Sequence, residues 1–116
     1  MTKKILIADD EEFIVDLLAT LLEDEGFATL RAYDGEQALA LARRHEPHLI
    51  ITDIMMPKMS GTELAARIRE QGNSLSQTPI ILMSAVSGVT LPGGALYLAK
   101  PFNIDHVLNL VSRLTA

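Results

Sequence analysis

Five polar residues stand where short apolar runs stop. Asp9 and Asp10 follow K-I-L-I-A, Asp53 follows H-L-I-I-T, Ser84 follows P-I-I-L-M, and Lys100 follows A-L-Y-L-A. If those runs lie side by side, three carboxylates, a hydroxyl and an ammonium meet at one edge. Two carboxylates about 4 Å apart repel by about 4 kcal/mol at an effective dielectric of 20. Three together need protons, a cation, or both. Lys100 offsets one charge, and a hard divalent ion with oxygen ligands answers the rest. Mg²⁺ suits the role, because it takes one or two carboxylates and keeps waters that a phosphate can displace. The set is that of phosphoryl transfer: a carboxylate attacks phosphorus, a metal neutralises the phosphoryl oxygens, and Lys and Ser hold the others. Asp53 is the candidate nucleophile.

The elements that must bring these residues together can be read from the pattern. Lys4–Ala8, His48–Thr52, Pro79–Met83 and Ala95–Ala99 are short apolar runs, Ala28–Tyr33 is a weaker one, and runs of this length are read as strands covered on both faces. Between them lie helical periods. Phe13, Leu17 and Leu21, with Ile14, Leu18 and Leu22, form a wide apolar stripe that Gly26 ends. Asp34 caps a second helix, Ser60 with Glu63 forms a capping box for a third, and Asn103 caps the last. Strands alternating with helices imply right-handed crossovers and a doubly wound α/β fold with a five-stranded parallel sheet. The economical order is 2-1-3-4-5, and its ligand crevice lies outside the carboxyl ends of the strands. Asp53, closing the third run, then stands on a central strand.

Composition narrows the classes. At 116 residues, 1–116 reads as one domain. A net charge of −5 argues against direct nucleic-acid binding, which needs Lys and Arg for phosphates. No cysteine is present, which removes thiol and zinc-thiolate chemistry and suits the cytoplasm. Residues 78–99 carry no charge, but Pro79, Gly88, Pro92, Gly93 and Gly94 interrupt them, so two strands and a loop are expected rather than membrane insertion. His45, His48 and His106 show no ligand spacing and read as surface residues.

Taken jointly, D-D-E after the first strand, D-I-M-M-P-K-M-S-G around the third, S-A after the fourth and K-P-F after the fifth resemble the receiver domains of two-component response regulators. The likeness covers the whole chain, and the fold it implies is the flavodoxin-like receiver fold of single-domain chemotaxis-type regulators. It implies Asp53 as phosphoacceptor, Asp10 and Asp53 as direct Mg²⁺ ligands with the backbone carbonyl of Met55, and Asp9 acting through metal-bound water. It implies Ser84 as switch hydroxyl, Ala85 as the small neighbour that leaves the site open, Lys100 as phosphoryl-binding cation with a cis bond to Pro101, and Tyr97 as an aromatic coupled to Ser84. The implied partners are a sensor histidine kinase or a histidine phosphotransfer protein, then a downstream protein or a missing output domain. Beyond its own phosphorylation and dephosphorylation no enzymatic turnover is expected.

The sequence departs from that pattern between Ser84 and Lys100, where the interval is too short for a full fourth helix. A vestigial or absent helix is expected over Val86–Leu91, with an apolar loop there as a surface for a partner or for self-association. Met55 and Val86 stand two residues after the acceptor and the switch hydroxyl. Neither can orient a water by hydrogen bonding, so a long-lived phosphorylated state is expected. The alternative reading is a pseudo-receiver, a protein-binding module indifferent to phosphorylation. Enzymes on the same sheet fit worse: G-x-G-x-x-G is absent after the first strand, and position 55 is Met where a haloacid dehalogenase would carry Asp.

Overall fold

The five apolar runs form five parallel strands in the computed structural model, which describes residues 2–85 and 94–116. The chain runs β1 (Lys4–Ala8), α1 (Glu12–Asp24), β2 (Ala28–Ala32), α2 (Gly35–His45), β3 (Leu49–Asp53), α3 (Gly61–Arg69), a 3₁₀ turn (Ser74–Gln77), β4 (Ile80–Ser84), β5 (Leu96–Ala99) and α4 (Ile104–Leu114). The sheet order is β2-β1-β3-β4-β5, as the alternation of elements requires. Asp53 pairs with Met83 and Ser84 with Ala99, so the carboxyl ends are level.

Alternation sorts the strands onto two cores. Leu6, Ala8, Ile50, Ile80 and Leu82 meet Ala38, Leu39, Leu64 and Ile68 of α2 and α3. Ile5, Ile7, Leu49, Ile51, Ile81 and Met83 meet Leu18, Leu22, Val107 and Val111 of α1 and α4. Three helix starts carry the expected caps. Asp34 accepts from Gln37 N–H, Ser60 from Glu63 N–H and Asn103 from His106 N–H. The capping box at Ser60 is one-sided in the bonds described, since the Glu63 carboxylate pairs instead with Arg67 Nη2 at 3.1 Å.

Some expectations need correction. The second and fifth strands are not covered on both faces. They are the sheet edges, and Leu96, Tyr97 and Ala99 of β5 are exposed. The α1 stripe is too wide for one contact face: Val15, Leu18, Ala19 and Leu22 are buried, while Phe13 is left 71% exposed. His48 is half-buried rather than on the surface, its Nδ1 accepting the Lys4 N–H at 3.0 Å. The expectations for Val86–Leu91, a vestigial helix and an apolar binding or self-association loop, fall on residues 86–93 and lie outside the described residues. Among the described residues, no helix is long and apolar enough to cross a membrane.

Candidate functional site

Each polar residue reaches the carboxyl edge by continuing a ladder. Asp9 N–H donates to Ala32 C=O at 3.2 Å, which extends β1 along β2. Lys100 N–H donates to Ser84 C=O at 2.9 Å, which extends β5 along β4. Ile54 N–H donates to Met83 C=O at 3.0 Å, locking the residue after Asp53. Asp9 lies two residues beyond Ile7, Asp53 two beyond Ile51, and Lys100 two beyond Leu98, so period two sends all three toward the α1/α4 side.

There Lys100 Nζ bridges the acids, 2.7 Å from Asp9 Oδ2, 3.3 Å from Asp53 Oδ1 and 3.7 Å from Glu11 Oε1. Asp9 is wholly buried and also accepts the Glu11 N–H at Oδ1, 3.0 Å away. Asp10 is exposed, yet one carboxylate oxygen each of Asp9, Asp10 and Asp53 fall within 4.8 Å of one another. Burial holds the Asp53 pKa above the usual carboxylate range, and the Asp9 charge adds to this against the opposing pull of Lys100. Burial acts to lower the Lys100 pKa, but the hydrogen bond to Asp9 and the charges of Asp53 and Asp9 outweigh it, so the net shift is upward.

The carboxylates fit a small hard cation. In an octahedron with about 2.1 Å bonds, ligand oxygens lie about 3 Å apart on adjacent corners and about 4.2 Å on opposite ones. The present spread exceeds that by about half an ångström at most, within the reach of a χ adjustment. Met55 follows Asp53 by two residues and is 73% exposed, whereas Met59 is buried at 8%.

Ser84 is buried at the end of β4. The Tyr97 hydroxyl donates to the Ser84 carbonyl at 2.9 Å, so the tyrosine is tied to the Ser84 backbone. Ala85 is exposed beside the site, and the Lys100–Pro101 bond is cis. Two further residues belong here that the sequence reading had not assigned. Glu11 occupies the α1 N-cap without a side-chain cap bond and faces Lys100. Gly61 opens α3 against β3, where an added Cβ would lie 2.1 Å from the Asp53 carbonyl oxygen. The third acid of D-D-E and the glycine of S-G were the available signals.

Residues 5–112 match the response regulator receiver domain. The chain belongs to that family. This receiver is 41% identical over 114 residues to the alkaline phosphatase synthesis transcriptional regulatory protein PhoP of Bacillus subtilis, a match covering 92% of the chain and 46% of PhoP. The chain thus spans about half the length of the first curated relatives it matches. The receiver domain of the Francisella response regulator 1452 superposes with a TM-score of 0.89 at 34% identity, covering 98% of this receiver and 97% of that one. The receiver domain of the sensor histidine kinase PA1611 of Pseudomonas aeruginosa, described with a magnesium ion coordinated in its active site cleft, superposes at 0.87 with 26% identity, covering 99% and 98% of the two chains.

Proposed function

We propose that this receiver accepts a phosphoryl group on Asp53 from a phosphorylated histidine, supplied by a histidine kinase or a phosphotransfer protein. One observation carries the reading: a buried carboxylate closes a central strand with an ammonium 3.3 Å away and two further carboxylates within 4.8 Å. Asp53 attacks phosphorus, the P–N bond breaks, and its electron pair returns to the imidazole. Lys100 already bridges Asp9 and Asp53, so a small side-chain shift brings its charge onto a phosphoryl oxygen. Ser84 supplies a hydroxyl to another. Asp10 and Asp53, with the Met55 carbonyl, would hold Mg²⁺ directly and Asp9 would act through water; when bound, the ion supplies charge neutralisation for the transferring group. The magnesium described in the PA1611 receiver supports this assignment.

The remainder of the reading follows from that chemistry. The chain modifies itself and turns over no external substrate, so it is a switch and not an enzyme. The tie between Tyr97 and Ser84 links the site to the β5 edge, the route by which a phosphorylated state reaches a downstream protein or output domain. Donor and receiver meet in the cytoplasm. The test is intact mass after incubation with acetyl phosphate and Mg²⁺. A gain of one phosphoryl group, abolished by Asp53→Ala and by chelation, is expected. An unmodified but folded protein would overturn the reading in favour of a module that binds partners without phosphorylation.

A further inference from the structure

Beside the acceptor lies an open groove of about 440 Å³. Phe13, Ile14 and Leu17 of α1 form one wall, and Pro101 and Phe102 form the other. Among the described residues its one charged wall is Lys100, and Ala85 borders it with no more than a methyl. Size does not restrict it to small guests, since an enclosed apolar cavity of about 150 Å³ already takes benzene. Phe13 stands out on this wall. It sits in the first turn of a helix in which Val15, Leu18 and Leu22 are buried and Ile14 and Leu17 half-buried, yet it is 71% exposed.

The place of Lys100 ties the groove to the chemistry. Its ammonium touches both Asp9 and Asp53, while its side chain forms part of the groove lining. In an in-line transfer the leaving group departs on the side of phosphorus away from Asp53, with Lys100 on a phosphoryl oxygen. A donor held by that ammonium lies at the groove that Lys100 lines together with Phe13, Pro101 and Phe102. An anionic head with an apolar body matches this lining of one cation and hydrocarbon.

We propose that the groove seats the apolar acyl group of an acyl phosphate donor, an inference that rests on Asp53 being the acceptor. The receiver then takes phosphoryl groups from small donors with bulky apolar leaving groups in preference to acetyl phosphate. In the step an Asp53 oxygen bonds to phosphorus as the bond from phosphorus to the acyl oxygen breaks. The electron pair leaves on the carboxylate, no proton moves, and nothing is oxidised or reduced.

The experiment compares acetyl phosphate with cyclohexanecarbonyl phosphate, whose leaving carboxylates are of similar basicity. Labelling rates are measured against donor concentration with Mg²⁺, for the native chain and for Phe13→Ala. The bulky donor is expected to half-saturate at a roughly tenfold lower concentration, from partial burial of its ring. Phe13→Ala should remove most of that advantage and leave the acetyl phosphate rate unchanged, which also shows that the variant is folded. Equal labelling by the two donors, or an advantage that survives Phe13→Ala, overturns the proposal. Equal labelling with slower transfer from a phosphohistidine protein in Phe13→Ala would give the groove to a protein donor instead. No label from either donor overturns the acceptor reading, and this inference with it.

Discussion

Replacing Asp53 by Asn removes the side chain's charge and keeps its shape, and the arrangement of charges predicts a more stable protein. At an effective dielectric of 20, repulsion at the 4.8 Å upper bound on their oxygen separations is about 3.5 kcal/mol for each of Asp9 and Asp10. Attraction to Lys100 across 3.3 Å returns about 5 kcal/mol. Asp10 is exposed, and with full water screening its share falls to about 0.9 kcal/mol. The pairwise balance therefore lies between about −0.5 and +2 kcal/mol, too close to zero to decide the sign. Burial decides it. Desolvation is the largest cause of the raised Asp53 pKa, and it always opposes the ionised form. Asp53→Asn should stabilise the metal-free protein by about 1–2 kcal/mol, or roughly 4–8 °C in Tm at this chain length. The dependence on pH has a fixed sign. A carboxyl raised above its ordinary value of about 3.9 contributes stability when protonated, and that contribution is lost as pH rises through the folded value. The gap between the two proteins should thus be full at neutral pH and close on acidification toward pH 4. Mg²⁺ held at the proposed site should act the other way, adding about 1.4 kcal/mol to the native chain at ten times its Kd and less to the variant. Differential scanning calorimetry in chelator, then in Mg²⁺, at neutral and mildly acid pH reads all three effects. A variant no more stable than the native chain in chelator at neutral pH would show that Lys100 outweighs desolvation, and the argument would fail.

Three other substitutions probe what holds the site. Lys100→Met strips the cation from the wholly buried Asp9, so a loss of about 3 kcal/mol is expected, read as a urea midpoint lowered by roughly 1–2 M; a negligible shift would mean that the Glu11 N–H suffices for Asp9. Gly61→Ala drives a Cβ toward the Asp53 carbonyl oxygen, where backbone must move, and should cost about 2–3 kcal/mol together with slower Asp53 labelling. Native stability with native labelling would show that α3 shifts freely against β3. His48→Phe removes the acceptor for the Lys4 N–H and should cost about 1 kcal/mol in urea unfolding while leaving phosphorylation at the opposite sheet edge unchanged.

What could be read in the sequence was what each segment settles by itself. Strand cores, the caps at Asp34, Ser60 and Asn103, and the polar residues closing each run are local facts, and the parallel order follows from their alternation. The errors came where a residue's surroundings depend on which segments become its neighbours. The β5 run is as apolar as β4, yet β4 is buried and β5 is an edge, a difference held in topology and not in composition. Phe13 and Ile14 are adjacent members of one stripe, but a helix offers the sheet only part of its circumference, and Phe13 fell outside it. Glu11 and His48 each face a group far along the chain, Lys100 and Lys4, that no local pattern announces.

The site's charge arrangement also explains why its parts sit on four different strands. A buried carboxylate pair without a cation is costly, so Asp9 and Asp53 can share one edge only because Lys100 arrives from β5. That places the counter-charge on the strand at the sheet edge, the least covered element of the fold. A phosphoryl group on Asp53 would compete with Asp9 for the same ammonium, and any shift of Lys100 acts on a backbone whose N–H is bonded to the Ser84 carbonyl, the acceptor also of the Tyr97 hydroxyl. Lys100 and Tyr97 are thus joined by two hydrogen bonds to one oxygen, and the Lys100 ammonium carries the link on to Asp53. A Tyr97→Phe variant that keeps Asp53 labelling but loses the difference in hydrogen exchange along β5 between phosphorylated and unphosphorylated protein would locate the transmission there; an unaltered exchange difference would remove that hydroxyl from the route.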